Sequence, residues 1–356
     1  MQKVKKYIQN ISLLVISTII TIILIELFIR IFMPQITRLD LEAISPKMYV
    51  NQEFLTYSLK PNTTLQSNDL NYHEFNVSIH INSKGFRGEE FSEKKPNNTR
   101  RIAVLGDSFT FGHGVEDNET YSAILENLLQ RYNKNKYEVI NAGVGGYGQD
   151  SEYLIFKKEI LKYNPDIVIL GIFVGNDIDD VVDGEWVLND TNGLPLKIVS
   201  MEVYVDKENR LRDIKLQKNK NYFYNLDIFL RKYSHLYILL KNRFDILGKL
   251  LNSIHGSDVL CAYCSQYNTN HQENWNRIEK TVKGISDISK EENIKFIVAL
   301  IPEIRQVDDL LWQDYSKKIR YNNINLRLPQ DKFIEILNTL NVDYIDLLPD
   351  FQKINK

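Results

Sequence analysis

Apolar and polar positions follow two rhythms along this chain, after one long apolar opening. Ile11 to Phe32 is almost wholly apolar, broken mainly by Ser12, Ser17, Thr18, Thr21, Glu26 and Arg30. Hydroxyls of this kind bond back to helix carbonyls, and about twenty apolar residues match a bilayer core. From Arg101 onward, short apolar runs alternate with longer stretches of helical period. The runs predict strands at Ile102–Leu105, Glu138–Asn141, Ile167–Leu170, Lys295–Ile301 and Val342–Asp346. The stretches predict helices at Tyr121–Arg131, Ser151–Tyr163, Gln272–Glu291 and Lys332–Leu340. Such alternation predicts a parallel sheet with helices on both faces. Between the apolar opening and the first of these strands, Pro34, Pro46 and Pro61 break helices, and Glu74 to Asn82 alternates like a half-buried strand. Lys84-Gly85-Phe86-Arg87-Gly88 then reads as a turn. Residues 178–270 interrupt the rhythm. Within them Leu226 to Leu247 is amphipathic and basic, with Arg231, Lys232, Lys241 and Arg243. It reads as a packed helix, the alternatives being a membrane-surface helix or a lid.

Three predicted strands end in loops of glycine and a small polar residue. The first loop holds Gly106-Asp107-Ser108, the second follows Asn141, and the third holds Gly175-Asn176-Asp177. A lone Gly-Asp-Ser is an ordinary loop tripeptide. Three such loops at the carboxyl edge of one parallel sheet bring together a serine, a glycine N–H and an asparagine amide. These are the parts of a nucleophile and an oxyanion hole.

The three segments together resemble the SGNH or GDSL hydrolases. Gly106-Asp107-Ser108-Phe109-Thr110 is similar to the first block of that family, with Phe109 in place of its leucine. Asn141-Ala142-Gly143-Val144-Gly145-Gly146 is similar to the second, and Val174-Gly175-Asn176-Asp177 to the third, with valine for its first glycine. The resemblance is strong over 99–180 and weak beyond. It implies an α/β fold, a three-layer flavodoxin-like parallel sheet. It also implies Ser108 as nucleophile and an oxyanion hole from the N–H groups of Ser108 and Gly146 with the Asn176 amide. Asp107 is expected to shape the turn. No metal or organic cofactor is implied. Stretches similar to Asn-x-x-Gly-Phe-Arg-Gly occur in membrane-anchored members, so 34–98 is expected to pack on the hydrolase domain, 99–356.

The family's fourth block, Asp-x-x-His, is missing. The residues three places before the six histidines are Leu70, Val77, Thr110, Lys232, Asn252 and Asn268. Leu347-Leu348-Pro349-Asp350-Phe351 reads as a run-in to more chain, so truncation is the expected explanation and natural loss the alternative. His113, five residues after Ser108, is expected to be a loop or pocket-wall residue, because a base must approach from a neighbouring loop.

Composition narrows the choice of partner. Lys and Arg number 44 against 46 Asp and Glu, without a basic stripe, so nucleic acid is not expected. Lys3, Lys5 and Lys6 precede the apolar segment, which places residues 1–10 in the cytoplasm and the domain outside it. No Ala-x-Ala pattern follows and no cysteine stands near, so 11–33 reads as an uncleaved, single-pass signal anchor rather than a cleaved signal or a lipoprotein anchor. Asp179, Asp180 and Asp183 read as a solvated loop. Cys261 and Cys264 read as a local disulfide or as two thiols. The expected function is a serine esterase acting on ester-linked acyl groups, O-acetyl groups among them, of a cell-envelope glycan, a lipid or a small molecule. A polysaccharide O-acetyltransferase with the same serine and an inactive glycan-binding or assembly protein are the alternatives.

Overall fold

The computed structural model describes residues 2–35, 37, 46–68, 75–132, 136–181, 184–214, 222–252, 269–316 and 325–354. His73, Asp183, His255, Cys261 and Cys264 lie outside these, as do the side chains of Asp179 and His271. The chain divides into two compact units, Met1–Ser45 with Gln217–His255, and Pro46–Leu216 with Gly256–Lys356.

The larger unit is built on five parallel strands: β1 (Thr99–Gly106), β2 (Lys136–Gly143), β3 (Ile167–Phe173), β4 (Lys295–Ile301) and β5 (Asp343–Asp346). Their order is β5-β4-β3-β1-β2. Helices cover both faces. Ile102 and Val104 of β1 pack with Tyr121 and Leu129 of α1 (Tyr121–Tyr132). Ala103 and Leu105 turn the other way, into a core shared with α2 (Gln149–Lys158), α3 (Thr269–Glu291) and α4 (Leu328–Leu340). Strands buried on both faces must be largely apolar, which is why the inner strands β1, β3 and β4 were readable in sequence. The α/β three-layer expectation stands.

The boundaries differ from expectation. β1 begins three residues early because Arg101, fully buried, is held by Glu138 at 2.7 Å and by the carbonyls of Ser92, Glu93 and Tyr163. The helix expected over Ser151–Tyr163 ends at Lys158 and continues as a tighter turn over Ile160–Tyr163. Residues 184–214 form two hairpins, Gly184–Asn189 with Pro195–Ser200 and Val203–Val205 with Leu211–Asp213. The segment before β1 contributes the hairpin Thr63–Asn68 with Asn76–Ile81 and buries Leu55, Tyr57, Ile79 and Phe86 in the same core.

The smaller unit opens with the helix Gln2–Phe32, in which an 18-residue window within Val4–Phe32 has a mean hydropathy of 2.6 and no buried residue. At about 1.5 Å per residue it is long enough to cross a bilayer. Ser17 and Thr18 donate to the Leu14 carbonyl at 2.9 and 2.8 Å. The single helix expected over Leu226–Leu247 is instead two, Tyr222–Tyr233 and His235–Asn252, broken at Ser234.

Candidate active site

The site forms where β1, β2 and β3 end side by side, with Gly106 opposite Gly143 and Leu105 opposite Leu170. Close approach governs these ends. A Cβ on Gly143 would lie 2.2 Å from the Phe111 nitrogen, so only glycine lets the β2 loop pass under the turn after Ser108. That turn is one helical turn, Ser108–Phe111, capped by Asp107, whose Oδ1 accepts from the Phe109 N–H at 2.8 Å.

Ser108 is half-buried, and its Oγ has one side-chain partner among the described residues, Asp107 Oδ2 at 3.4 Å. No acceptor among the described residues takes the N–H of Ser108 or of Gly146. The glycine loop sits against the serine, since a Cβ on Gly145 would lie 3.8 Å from the Ser108 Cβ. Gly146 holds φ +77°, and a Cβ there would meet the Tyr57 hydroxyl at 2.9 Å. Tyr57 donates to the Gly145 carbonyl at 2.9 Å, and Tyr147 donates to the Tyr57 carbonyl at 2.6 Å. The segment before the sheet thus supports the glycine loop from outside, a role that sequence reading missed. Phe109 stacks on Phe173 at 3.8 Å, so an aromatic pair borders the serine.

Asn176 is drawn to a carboxylate. Its Nδ2 donates to Asp180 Oδ2 at 2.7 Å, and its Oδ1 is buried without a partner among the described residues. Asp180 is therefore no solvated loop residue, contrary to expectation. Carboxylate oxygens of Asp107, Asp177 and Asp180 lie within 4.8 Å of one another. The physical reason is that the short helix Asp177–Asp180 turns inward, with Asp177 Oδ2 accepting from the Phe173 N–H and from Gln149, each at 2.9 Å.

Two further buried acids, Asp150 and Glu152, stand on α2. Burial and then the charges of Asp107, Asp150 and Asp180 push Glu152 well above the usual carboxylate range, and neither of its oxygens has a partner. Burial, then Asp107, Glu152 and Asp180, does the same to Asp177. Burial lifts Asp150 from 3.8 to about 6, against the Trp186 N–H that donates to it at 2.7 Å. Folded values above unfolded ones mean stability that is fully present below the unfolded pKa and lost as pH rises through the folded one. For Asp150 the window runs from 3.8 to about 6, a change worth roughly 3 kcal/mol. The protein is expected to melt at a higher temperature at pH 5 than at pH 8, and Glu152→Gln to narrow that gap. Thermal unfolding of both proteins at the two pH values checks this, and a parent protein more stable at pH 8 contradicts it.

No described histidine ring has a hydrogen bond to the Ser108 hydroxyl, although the His113 N–H donates to the Ser108 carbonyl at 3.0 Å. His113 is exposed with its ring edge-on to Phe75 at 5.2 Å, His80 pairs with Asp117, and His235 belongs to the other unit. Beside Gly146 opens a cavity of about 230 Å³, lined in part by Thr56, Tyr57, Ser151, Asp180, Ser200 and Glu202.

Residues 104–347 match the GDSL-like Lipase/Acylhydrolase family. The chain belongs to that family. It is an ester hydrolase of the SGNH type, and the parallel sheet with serine, glycine and asparagine at its carboxyl edge is that family's fold. Among solved structures, the chain is similar to an acetyl xylan esterase, AlAXEase, with 16% identity over 72% of this chain and 81% of that one, at a TM-score of 0.35. It is also similar to a putative G-D-S-L lipolytic protein from Desulfitobacterium hafniense DCB-2, with 13% identity, 69% and 77% coverage and a TM-score of 0.32. A third is a catalytic mutant of Axe2, an acetylxylan esterase from Geobacillus stearothermophilus, with 11% identity, 72% and 79% coverage and a TM-score of 0.34. No curated protein matches the chain in sequence.

Proposed function

We propose that this hydrolase is a serine esterase held at a membrane, with Ser108 as nucleophile and short acyl esters, O-acetyl groups among them, of an envelope glycan or lipid as substrate. The observation that carries the reading is the half-buried Ser108 with the Gly145-Gly146 loop against it, a Cβ on Gly145 lying 3.8 Å from the Ser108 Cβ, and with the N–H groups of Ser108 and Gly146 free of acceptors among the described residues. Attack by Ser108 Oγ on the ester carbonyl carbon makes a tetrahedral oxyanion, and donors fixed in place beforehand stabilise it most. Asn176 supplies the third donor by turning one N–H from its carboxylate. The ester C–O bond then breaks and the alcohol leaves with the Ser108 proton, relayed through solvent; water adds to the acyl-serine carbonyl, the acyl–Oγ bond breaks, the acid is released and a proton returns to Ser108 Oγ. The small cavity beside Gly146, with its hydroxyl and carboxylate lining, supports a short acyl group on a polar alcohol rather than a long chain.

The apolar helix Gln2–Phe32, behind Lys3, Lys5 and Lys6, supports a signal anchor with its amino end in the cytoplasm and the hydrolase unit outside. The chemistry is tested by treating the protein with a fluorophosphonate and mapping the modified peptide. The adduct is expected on Ser108, together with faster turnover of p-nitrophenyl acetate than of the palmitate ester. An adduct on any other residue sinks the assignment.

A further inference from the structure

We infer that the helices Tyr222–Tyr233 and His235–Asn252 lie in the headgroup layer of an anionic bilayer, clamped to the carboxyl end of the anchor helix. This rests on the membrane reading of that helix. The clamp is made by the two charges of the apolar segment. Glu26 accepts from the Ser234 hydroxyl at 2.8 Å, the His235 N–H at 2.9 Å and the Leu236 N–H at 3.0 Å. It therefore caps the second helix from another part of the chain, satisfying donors that every helix start leaves open. Arg30 bonds to Glu26 at 3.3 Å and donates to the Tyr233 carbonyl, at the end of the first helix, at 2.7 Å. The Gln35 N–H donates to His235 Nδ1 at 2.8 Å. The break between the helices is thus fixed at residues 26–35, where the apolar run ends. A bilayer around Gln2–Phe32 would place that level at its interface.

The helices are built to stay there. Leu226, Phe229 and Tyr233 are 41%, 55% and 48% exposed and spaced three and four apart, so they share one face. Leu240 and Phe244, four apart on the next helix, are 47% and 67% exposed, whereas Ile238 is buried. Asp227 ties the two helices together, accepting from Tyr237 and pairing with Arg231 and Lys241. Residues 222–252 hold five Lys or Arg against two Asp, with seven Phe or Tyr. Apolar stripes, aromatic rings and excess positive charge are the features of helices that lie on an anionic interface. Among the described residues only Val4–Phe32 is long and apolar enough to cross a membrane, so these two lie on it rather than through it.

The test uses the full chain in vesicles of phosphatidylcholine and phosphatidylglycerol, in a Cys261→Ser, Cys264→Ser background. Leu14→Cys, Phe229→Cys and Phe244→Cys each carry an environment-sensitive fluorophore. All three are expected to gain emission severalfold on reconstitution and to lose it with nitroxide-labelled lipids. Quenching at Leu14 with none at Phe229 and Phe244 overturns the inference and leaves the anchor in place. No quenching at Leu14 removes the anchor reading, and the inference with it.

Discussion

Replacing Ser108 with alanine is expected to abolish fluorophosphonate labelling and all Ser108-dependent turnover of p-nitrophenyl acetate. The parent turnover is itself expected to be small, because the sequence holds no Asp-x-x-His pair and loss of triad members lowers kcat by on the order of 10⁴ to 10⁶ in well-studied serine proteases, non-additively. The loss should be chemical and not structural. The Ser108 hydroxyl makes one long side-chain contact, 3.4 Å to Asp107, and the cap of its helical turn is made by Asp107 and not by the serine. The melting temperature should therefore stay at the parent value. Asn176→Ala offers a contrast. Loss of one oxyanion donor costs about 10² to 10³ in kcat, but this change also strips a donor from Asp180, so its melting temperature should fall. A Ser108→Ala enzyme that hydrolyses at the parent rate would place the nucleophile elsewhere.

The inner strands β1, β3 and β4 were legible because most of their length is covered on both faces and spells an apolar run, whereas the edge strands β2 and β5 mix in Glu138, Asn141, Asp343 and Asp346. The three loops of the candidate site were legible only together: glycine with a small polar residue is ordinary turn chemistry at one strand end, but three successive strands end that way. What escaped was set by distant partners. The break at Ser234 has only a faint local signal, the serine whose Oγ accepts from the Tyr237 N–H at 3.1 Å; the carboxylate that completes the cap, Glu26, lies 208 residues earlier. Glu152 reads as an exposed helix position, yet it is 1% exposed under the site, beside acids that follow β1 and β3. The hairpins of 184–213 escaped because their strands are half-exposed and the first pair is irregular in register, which blurs the two-residue rhythm. Arg101 and Arg87 share one lesson. A guanidinium with enough fixed acceptors is buried as fully as a leucine, and hydropathy alone places it outside.

Arg87 carries the largest expected effect on stability. It is 3% exposed, in a segment that reads as a simple turn. Its Nη1 donates to the Phe111 carbonyl at 3.0 Å and the Gly112 carbonyl at 2.5 Å, Nη2 donates to the Val115 carbonyl at 2.6 Å, and Nε pairs with Asp117 at 2.7 Å. Its plane lies over the Phe111 ring at 4.9 Å, and its backbone bridges Ile81 and Asn141. Every acceptor falls within 111–117, the stretch that leaves Ser108, so one side chain fixes the far end of the nucleophile turn. Arg87→Met removes the donors and leaves Asp117 and three carbonyls to find others, at a cost of about 3 to 5 kcal/mol. Lysine should not rescue it, because a single ammonium cannot serve a fork of carbonyls and a carboxylate at once. Urea unfolding should show the loss, and fluorophosphonate labelling below the melting range should be slower than in the parent as the turn loosens. Asp117 keeps the His80 N–H at 3.1 Å and the His80 ring as partners, so adding Asp117→Asn to Arg87→Met should recover little of the loss. An Arg87→Met protein as stable as the parent would show that Arg87 does not hold the turn in this way.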